Sequence, residues 1–172
     1  MAELAKTKDL GVNSTADREG KYLTFSLAGE EYGIGILKVK EIIGMMTITM
    51  VPQVPAYVKG VINLRGKVIP IIDLRVKFGM DACGYSERTC IIVVEILGAS
   101  SEKTVMGIVV DAVSEVMNIK GNEIDDTPSF GVQLDTECIL GMAKTKGEVK
   151  VLLDIDKVLT TEDILADATL TN

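Results

Sequence analysis

The sequence predicts a mainly β protein: two packed small barrels made from one duplicated unit, with a short helix near the C-terminus. Three observations carry this. About ten short apolar runs rich in β-branched residues are separated by glycine-bearing turns, the pattern of small barrels. A helical period is nearly absent before residue 156. A skeleton of glycine and aspartate recurs: Gly60 to Gly66 and Gly141 to Gly147 are both six positions, and Gly60 to Asp73 and Gly141 to Asp154 are both thirteen.

The first copy of that skeleton is the clearest local signal. Residues 61–64 and 68–72 are apolar strands flanking Arg65-Gly66-Lys67. Gly66 supplies the positive φ of a tight hairpin turn, with Arg65 at or beside the tip. Pro70 has no N–H for a ladder, so an edge strand or a bulge is expected there. Residues 74–78 predict one helical turn stopped by Gly79. The repeat extends upstream. The stretch from Gly33 to Ile43 aligns without gaps on that from Gly107 to Met117, pairing Val39 with Val113 and Glu41 with Glu115. Pro55-Ala-Tyr57 parallels Pro128-Ser-Phe130. Four blocks in one order favour duplication over chance.

In chain order, residues 1–20 are polar and small, and disorder is expected there. Residues 21–27 and 31–36 form a hairpin around Ala28-Gly29-Glu30. Residues 37–43 fit a helical turn or a strand equally well. Pro52 and Pro55 bracket an extended loop. The seam between the repeats is expected near 80–88. Residues 89–97 form a near-continuous apolar run, a strand buried on both faces, paired with 104–110. After a polar loop at 120–130, residues 136–142 and 148–153 close the second hairpin. Thr161 can cap a helix carrying Ile164, Leu165 and Ala168, followed by a tail to residue 172.

At 172 residues the chain suits one domain or two small units sharing a core. Hydrophobic residues make up 47% but aromatics only 4% and Trp is absent, so Val, Ile, Leu and Met must fill the interior. The net charge of −7 argues against a nucleic-acid footprint. No apolar run reaches membrane-spanning length and residues 1–13 lack a signal-peptide core, so a cytoplasmic location is expected. Cys83, Cys90 and Cys138 form no C-x-x-C, which fits a reducing compartment; Cys90 and Cys138 read as small buried hydrophobes and Cys83 as an exposed thiol.

The chemistry of the chain is sparse. It contains no His, which removes Ser-His and Cys-His nucleophiles and the commonest metal ligand. Residues 122–126 lack the spacing of a calcium loop. Gly60-x5-Gly66-Lys67-Val68 has one residue too many for a phosphate-binding loop, and Val stands where a hydroxyl is needed. Gly33-Ile-Gly35 lacks the third glycine of a dinucleotide fingerprint. No cofactor or metal is expected. An acidic β protein with apolar residues to spare suits binding surfaces. The surface candidates are Val39, Ile43, Met45 and Met46 in one repeat and Val113, Val116 and Met117 in the other, although core packing explains any one of them. Arg65 is either a solvated charge or a carboxylate clamp. Glu41 and Glu115 are expected to be exposed. Asp73 and Asp154, at strand ends, are the acids a small enzyme would use, and also the ones a structural cap would use.

Several motifs together resemble the CheW-like domains of bacterial chemotaxis: Glu31-Tyr-Gly-Ile, Ile36-Leu-Lys-Val-Lys-Glu-Ile, Pro55-Ala-Tyr-Val-Lys-Gly-Val-Ile-Asn-Leu-Arg-Gly, Ile69-Pro-Ile-Ile-Asp-Leu-Arg and Val105-Met-Gly-Ile-Val-Val-Asp-Ala-Val-Ser-Glu-Val. The resemblance runs from about residue 20 to 165. It implies two five-stranded SH3-like barrels around a shared core, occupying residues 21–160, with the C-terminal helix and tail at 161–172. It implies a non-enzymatic adaptor joining the regulatory domain of the histidine kinase CheA to the cytoplasmic tips of methyl-accepting chemoreceptors, with no cofactor, recruited to membrane receptor arrays. By motif position, Val39, Glu41, Val113 and Val116 would border a receptor groove with Arg65 close by. Gly60 and Gly141 would be positions where bulk harms coupling to the kinase. The alternatives are a CheW-like scaffold with another signalling partner, a small acid-based enzyme, and a β module with no partner.

Overall fold

The computed structural model describes residues 18–81, 84–98, 101–126 and 136–159. The expectations for residues 1–17, Cys83, Pro128-Ser-Phe130 and the helix at 161–172 lie outside them.

The first repeat holds β1 (Gly20–Leu27), β2 (Glu30–Gly35), a 3₁₀ turn (Ile36–Lys38), β3 (Val39–Gly44), β4 (Val58–Leu64), β5 (Lys67–Asp73) and the single turn α1 (Leu74–Lys77). The second holds β6 (Cys90–Leu97), β7 (Lys103–Val110), β8 (Ala112–Ile119), the two-residue β9 (Ile124–Asp125), β10 (Ile139–Thr145), β11 (Glu148–Leu153) and α2 (Ile155–Val158). The ambiguous stretch 37–43 thus divides between the 3₁₀ turn and a strand. The tips of β4–β5 and β10–β11 are twins. Arg65 and Gly66 stand at φ 52° and 86°, Lys146 and Gly147 at 52° and 78°, the left-handed pair of a two-residue hairpin. Each hairpin ends in a helical turn capped by its aspartate. Asp73 accepts from the N–H of Arg75 and Val76, and Asp154 from that of Asp156.

The strands form two sheets, in the orders β8-β1-β2-β11-β10-β9 and β3-β6-β7-β5-β4. Each sheet therefore takes strands from both repeats. Residues 80–88 lie between the repeats along the chain, while each sheet combines strands from before and after them. β1–β2 leaves its own repeat to pair with β8 and β11, and β6–β7 pairs with β3 and β5. The exchange is made by two parallel ladders, Ile71 opposite Gly107 and Leu152 opposite Gly33. A parallel pair needs a long crossover, and here the other repeat's strands supply it. Both crossings are tight, that at Gly107 more than that at Gly33. A Cβ on Gly107 would lie 2.7 Å from Cδ1 of Ile71, and one on Gly33 would lie 3.0 Å from Cδ2 of Leu152.

One expectation needs correction. Pro70 lies on neither an edge strand nor a bulge of its own, because β5 runs between β7 and β4. It is tolerated because the ladder to β7 begins only at Ile71, and because its partner Val61 turns both backbone groups outward to Thr49. The expected mainly β fold of two packed units is what the described residues form; in one sheet β9 adds two residues along β10, as Thr49 does in single-residue form along β4.

The core has three parts. The largest joins the sheets, with Leu23, Phe25, Leu27, Ile34 and Leu153 from one and Ile72, Ile92, Val94, Ile96 and Ile108 from the other. Ile62, Ile69, Ile71, Ile91, Val93 and Val109 fill a second cluster within the sheet of β3–β7, and Tyr22, Ile119, Ile124, Ala143 and Leu152 a third within the other. Alternate residues of β6 enter the first and second clusters, which is why its sequence is apolar throughout.

Gly107→Ala should destabilise the fold by about 1–3 kcal/mol through overpacking at the crossing. Gly44→Ala, whose added Cβ meets nothing within 4 Å, should stay within about 0.5 kcal/mol. Urea midpoints of the two variants check this; equal midpoints would show that the crossing is not tightly packed.

Candidate functional site

The sites proposed from sequence gather on β3 and β8, strands that are twins by repeat and outermost in their respective sheets. Both carry the same bulge. Val39 faces Val94 and Glu41 faces Val93, which leaves Lys40 as the extra residue. Val113 faces Phe25 and Glu115 faces Thr24, which leaves Ser114 as the extra one. A bulge twists an edge and re-aims its side chains. The Thr24 hydroxyl fills the gap in the β8 ladder. It donates to the Glu115 carbonyl at 2.9 Å and accepts from the Glu115 N–H at 3.1 Å. Ser114 Oγ donates to the Glu31 carboxylate at 2.9 and 3.1 Å.

Val39 and Val113 both turn inward, half-buried against the cluster shared by the sheets. Val116, opposite Leu23, is 49% exposed. Ile42, its counterpart by repeat, is also exposed, as is Met46. Ile43, Met45 and Met117 instead pack on the inner clusters, so those surface candidates are largely core.

Glu41 and Arg65 meet directly. The guanidinium donates twice to the carboxylate, Nη1 to Oε2 at 2.6 Å and Nη2 to Oε1 at 2.8 Å. This fork ties β3 to the tip of the β4–β5 hairpin, which is itself closed by the Gly66 N–H donating to Asn63 Oδ1 at 2.9 Å. Arg65 is thus a carboxylate clamp within the chain, and it remains 69% exposed. The Arg65 hydrogen bonds hold the Glu41 carboxyl below the ordinary glutamate value. Any stabilisation from the pair is present above the unfolded-state pKa and is lost as pH falls through the lowered folded value. Because Arg65 is largely exposed and Glu41 is only half-buried, the effect on overall stability is small.

Gly60 and Gly141 are both buried. Gly60 stands at φ 140°, and a Cβ there would lie 2.1 Å from the Thr49 carbonyl oxygen. A Cβ on Gly141 would lie 2.6 Å from Cγ2 of Ile124 and 2.9 Å from the Asp125 carbonyl oxygen. Each glycine marks a bulge, beside Val58 in β4 and Ile139 in β10. Bulk at either would act by displacing the segment that crosses it. Asp73 and Asp154 are occupied as helix caps. Burial pushes the Cys90 thiol up, away from the activated range of a nucleophile. Among the described residues no group of three or more His, Cys, Asp or Glu could hold a metal ion. None of the described helices is long and apolar enough to cross a membrane.

The model of the CheW-like domain matches residues 21–163. The chain belongs to the CheW-like domain family. It is 42% identical over 164 residues to the chemotaxis protein CheW of Klebsiella aerogenes, spanning 95% of this chain and 94% of that one. It is 34% identical to the chemotaxis protein CheW of Bacillus subtilis, spanning 83% and 88%. The crystal structure of the scaffolding protein TtCheW from Thermoanaerobacter tengcongensis matches with a TM-score of 0.72 at 39% identity, covering 81% of this chain and 92% of that chain. The CheW-like motifs near Gly60, Arg65 and Asp73 therefore coincide with a bulge, a clamp and a cap.

Sequence reading missed the contacts of Lys38, Arg75, Asp111 and Asp156, which fasten the ends of β1 and β6.

In an NMR titration Glu41 should titrate below the ordinary glutamate range, and Arg65→Ala should return it there. An unchanged Glu41 in that variant would show that the fork does not persist in solution.

Proposed function

We propose that this chain is a non-enzymatic adaptor of bacterial chemotaxis. It joins the regulatory domain of the histidine kinase CheA to the cytoplasmic tips of methyl-accepting chemoreceptors, working in the cytoplasm at membrane receptor arrays. The observation that carries the reading is the end-to-end match to chemotaxis CheW proteins, 94% of the Klebsiella aerogenes relative being covered. The bulged outer strands support it. β3 and β8 present Ile42 and Val116 beside half-buried Val39 and Val113, suited to gripping an apolar helix face. Glu41 and Arg65 set charge at the rim, where such pairs tune rate and specificity. Gly60 and Gly141 contribute to kinase coupling by keeping the segments around Thr49 and Asp125 in place.

Calorimetric titration against the isolated CheA regulatory domain tests the reading. A saturable one-to-one complex is expected, and a folded protein giving no complex would contradict it. In the same setting Val116→Asp should weaken binding to a soluble receptor tip at least tenfold while leaving the melting temperature within about 2 °C, as a substitution at an exposed position does. Global unfolding of that variant would make Val116 a core residue. Arg65→Ala should impair receptor-dependent kinase activation while kinase binding persists; normal activation would remove Arg65 from the site.

A further inference from the structure

Two fastenings in this molecule are twins by position and opposite in charge. In the first, Asp111 in the β7–β8 turn accepts from the Ala28 N–H at 2.8 Å and from Arg75 Nη1 of α1 at 2.9 Å, both on Oδ2. In the second, Asp156 of α2 accepts from the Leu97 N–H at 2.8 Å on Oδ1 and pairs with Lys38 Nζ at 2.6 Å on Oδ2. The repeat alignment makes these the same device. Leu23, Phe25 and Leu27 in β1 stand where Ile92, Val94 and Ile96 stand in β6, which puts Ala28 on Leu97. Arg75 and Asp156 are each the second residue of their helical turn, and the N–H of each is held by the capping aspartate. Asp111 precedes β8, and Lys38 directly precedes β3, one place later in the alignment. In one pin the turn provides the carboxylate and the helix the cation; in the other the helix provides the carboxylate and the turn the cation.

Each pin joins three pieces: the end of a β1-type strand, a helical turn, and the residue from which a bulged outer strand starts. The cations are partly shielded, Arg75 at 17% exposure and Lys38 at 36%. Arg75 is fixed further by Nε donating to the Asp81 carbonyl at 3.3 Å. The Asp111 N–H donates to the Ser26 carbonyl at 3.0 Å, so the turn is held from both sides. A carboxylate shared between a backbone N–H and a cation is a stronger tether than a surface ion pair alone.

We infer that Asp111–Arg75 and Lys38–Asp156 are positioning pairs for the receptor groove, setting where β8 and β3 begin and so where Val113, Val116, Val39 and Glu41 stand. This rests on the adaptor reading for its partner, but the fastening itself can be read without one. The duplication supplies the control. The second pin shows that this framework accepts the carboxylate on the helix and the cation on the turn. Arg75→Asp alone sets two carboxylates together, and Asp111→Lys alone sets two cations together with no acceptor for the Ala28 N–H. The double variant puts the carboxylate on the helix and the cation on the turn, as in the second pin, with the cation one place earlier in the alignment.

The experiment compares the full-length wild type, both single variants and the double variant by amide hydrogen exchange and by titration with a soluble receptor tip and with the CheA regulatory domain. Each single variant should speed exchange at Ala28 and along β8 at least tenfold, with β10–β11 unchanged. Each should weaken receptor-tip binding about tenfold and kinase-domain binding less than twofold. The double variant should recover exchange and receptor binding to within about threefold of wild type. A double variant as impaired as the singles, or singles with wild-type exchange in β8, would overturn the inference. Restored exchange with no receptor binding by any protein, wild type included, would leave the pins standing and remove the adaptor reading instead. Altered exchange in β8 with receptor binding unchanged would show that the pins fasten the strand but do not position the groove.

Discussion

The fold depends on two parallel ladders in which each repeat gives its last strand to the other repeat's hairpin. Ile71 beside Gly107 and Leu152 beside Gly33 are close approaches at which any added side chain would have to displace its neighbour. Because of them neither sheet can be completed from one repeat. The largest apolar cluster then draws residues from both sheets, so most of the hydrophobic driving force appears only when both exchanges are made. A repeat of this size would be marginal alone. Exchange solves that by making the two repeats one cooperative body, and it leaves β3 and β8 as outermost strands where a partner can reach them.

Much of this was legible in the sequence, for identifiable reasons. Glycine and aspartate spacing exposed the duplication because those residues do fixed geometric jobs: left-handed turns at Gly66 and Gly147, bulges at Gly60 and Gly141, caps at Asp73 and Asp154. The hairpins were legible because their apolar runs are bounded by those glycines. The strand exchange was not, because β-branched runs say which faces are buried and nothing about which strand lies alongside. Pro70 has the same cause: its missing N–H constrains one side of one residue, and where along β5 the ladder to β7 begins is not written in the local sequence. Val39 and Val113 read correctly as a pair, yet their half-burial reflects the bulge at Lys40 and Ser114, which has no sequence signature of its own. Ile43, Met45 and Met117 looked like surface candidates because Met is common at binding grooves, but the inner clusters claim them.

What the chain lacks agrees with what it offers. The acids that a catalytic reading would choose are spent on capping, and the His-free composition leaves no neutral-pH base among ordinary side chains. The fixed polar contacts are instead mechanical. The Glu41–Arg65 fork ties an outer strand to a hairpin tip, Thr24 closes the ladder around a bulge, and the two pins fasten strand starts to helical turns. Such contacts contribute modestly to global stability and strongly to the placement of a few side chains, which is what specific docking requires. The two pins hold nearly matching places in the repeats with their charges reversed.

Interlocking is tested most directly by cutting the chain in the loop before β6 and following the two fragments by circular dichroism and NMR, separately and mixed. Each fragment alone should lack the dispersed amide spectrum of a folded β protein, and an equimolar mixture should recover the spectrum of the intact chain. A fragment that folds by itself into a stable sheet would contradict the strand exchange on which the rest of the structure depends.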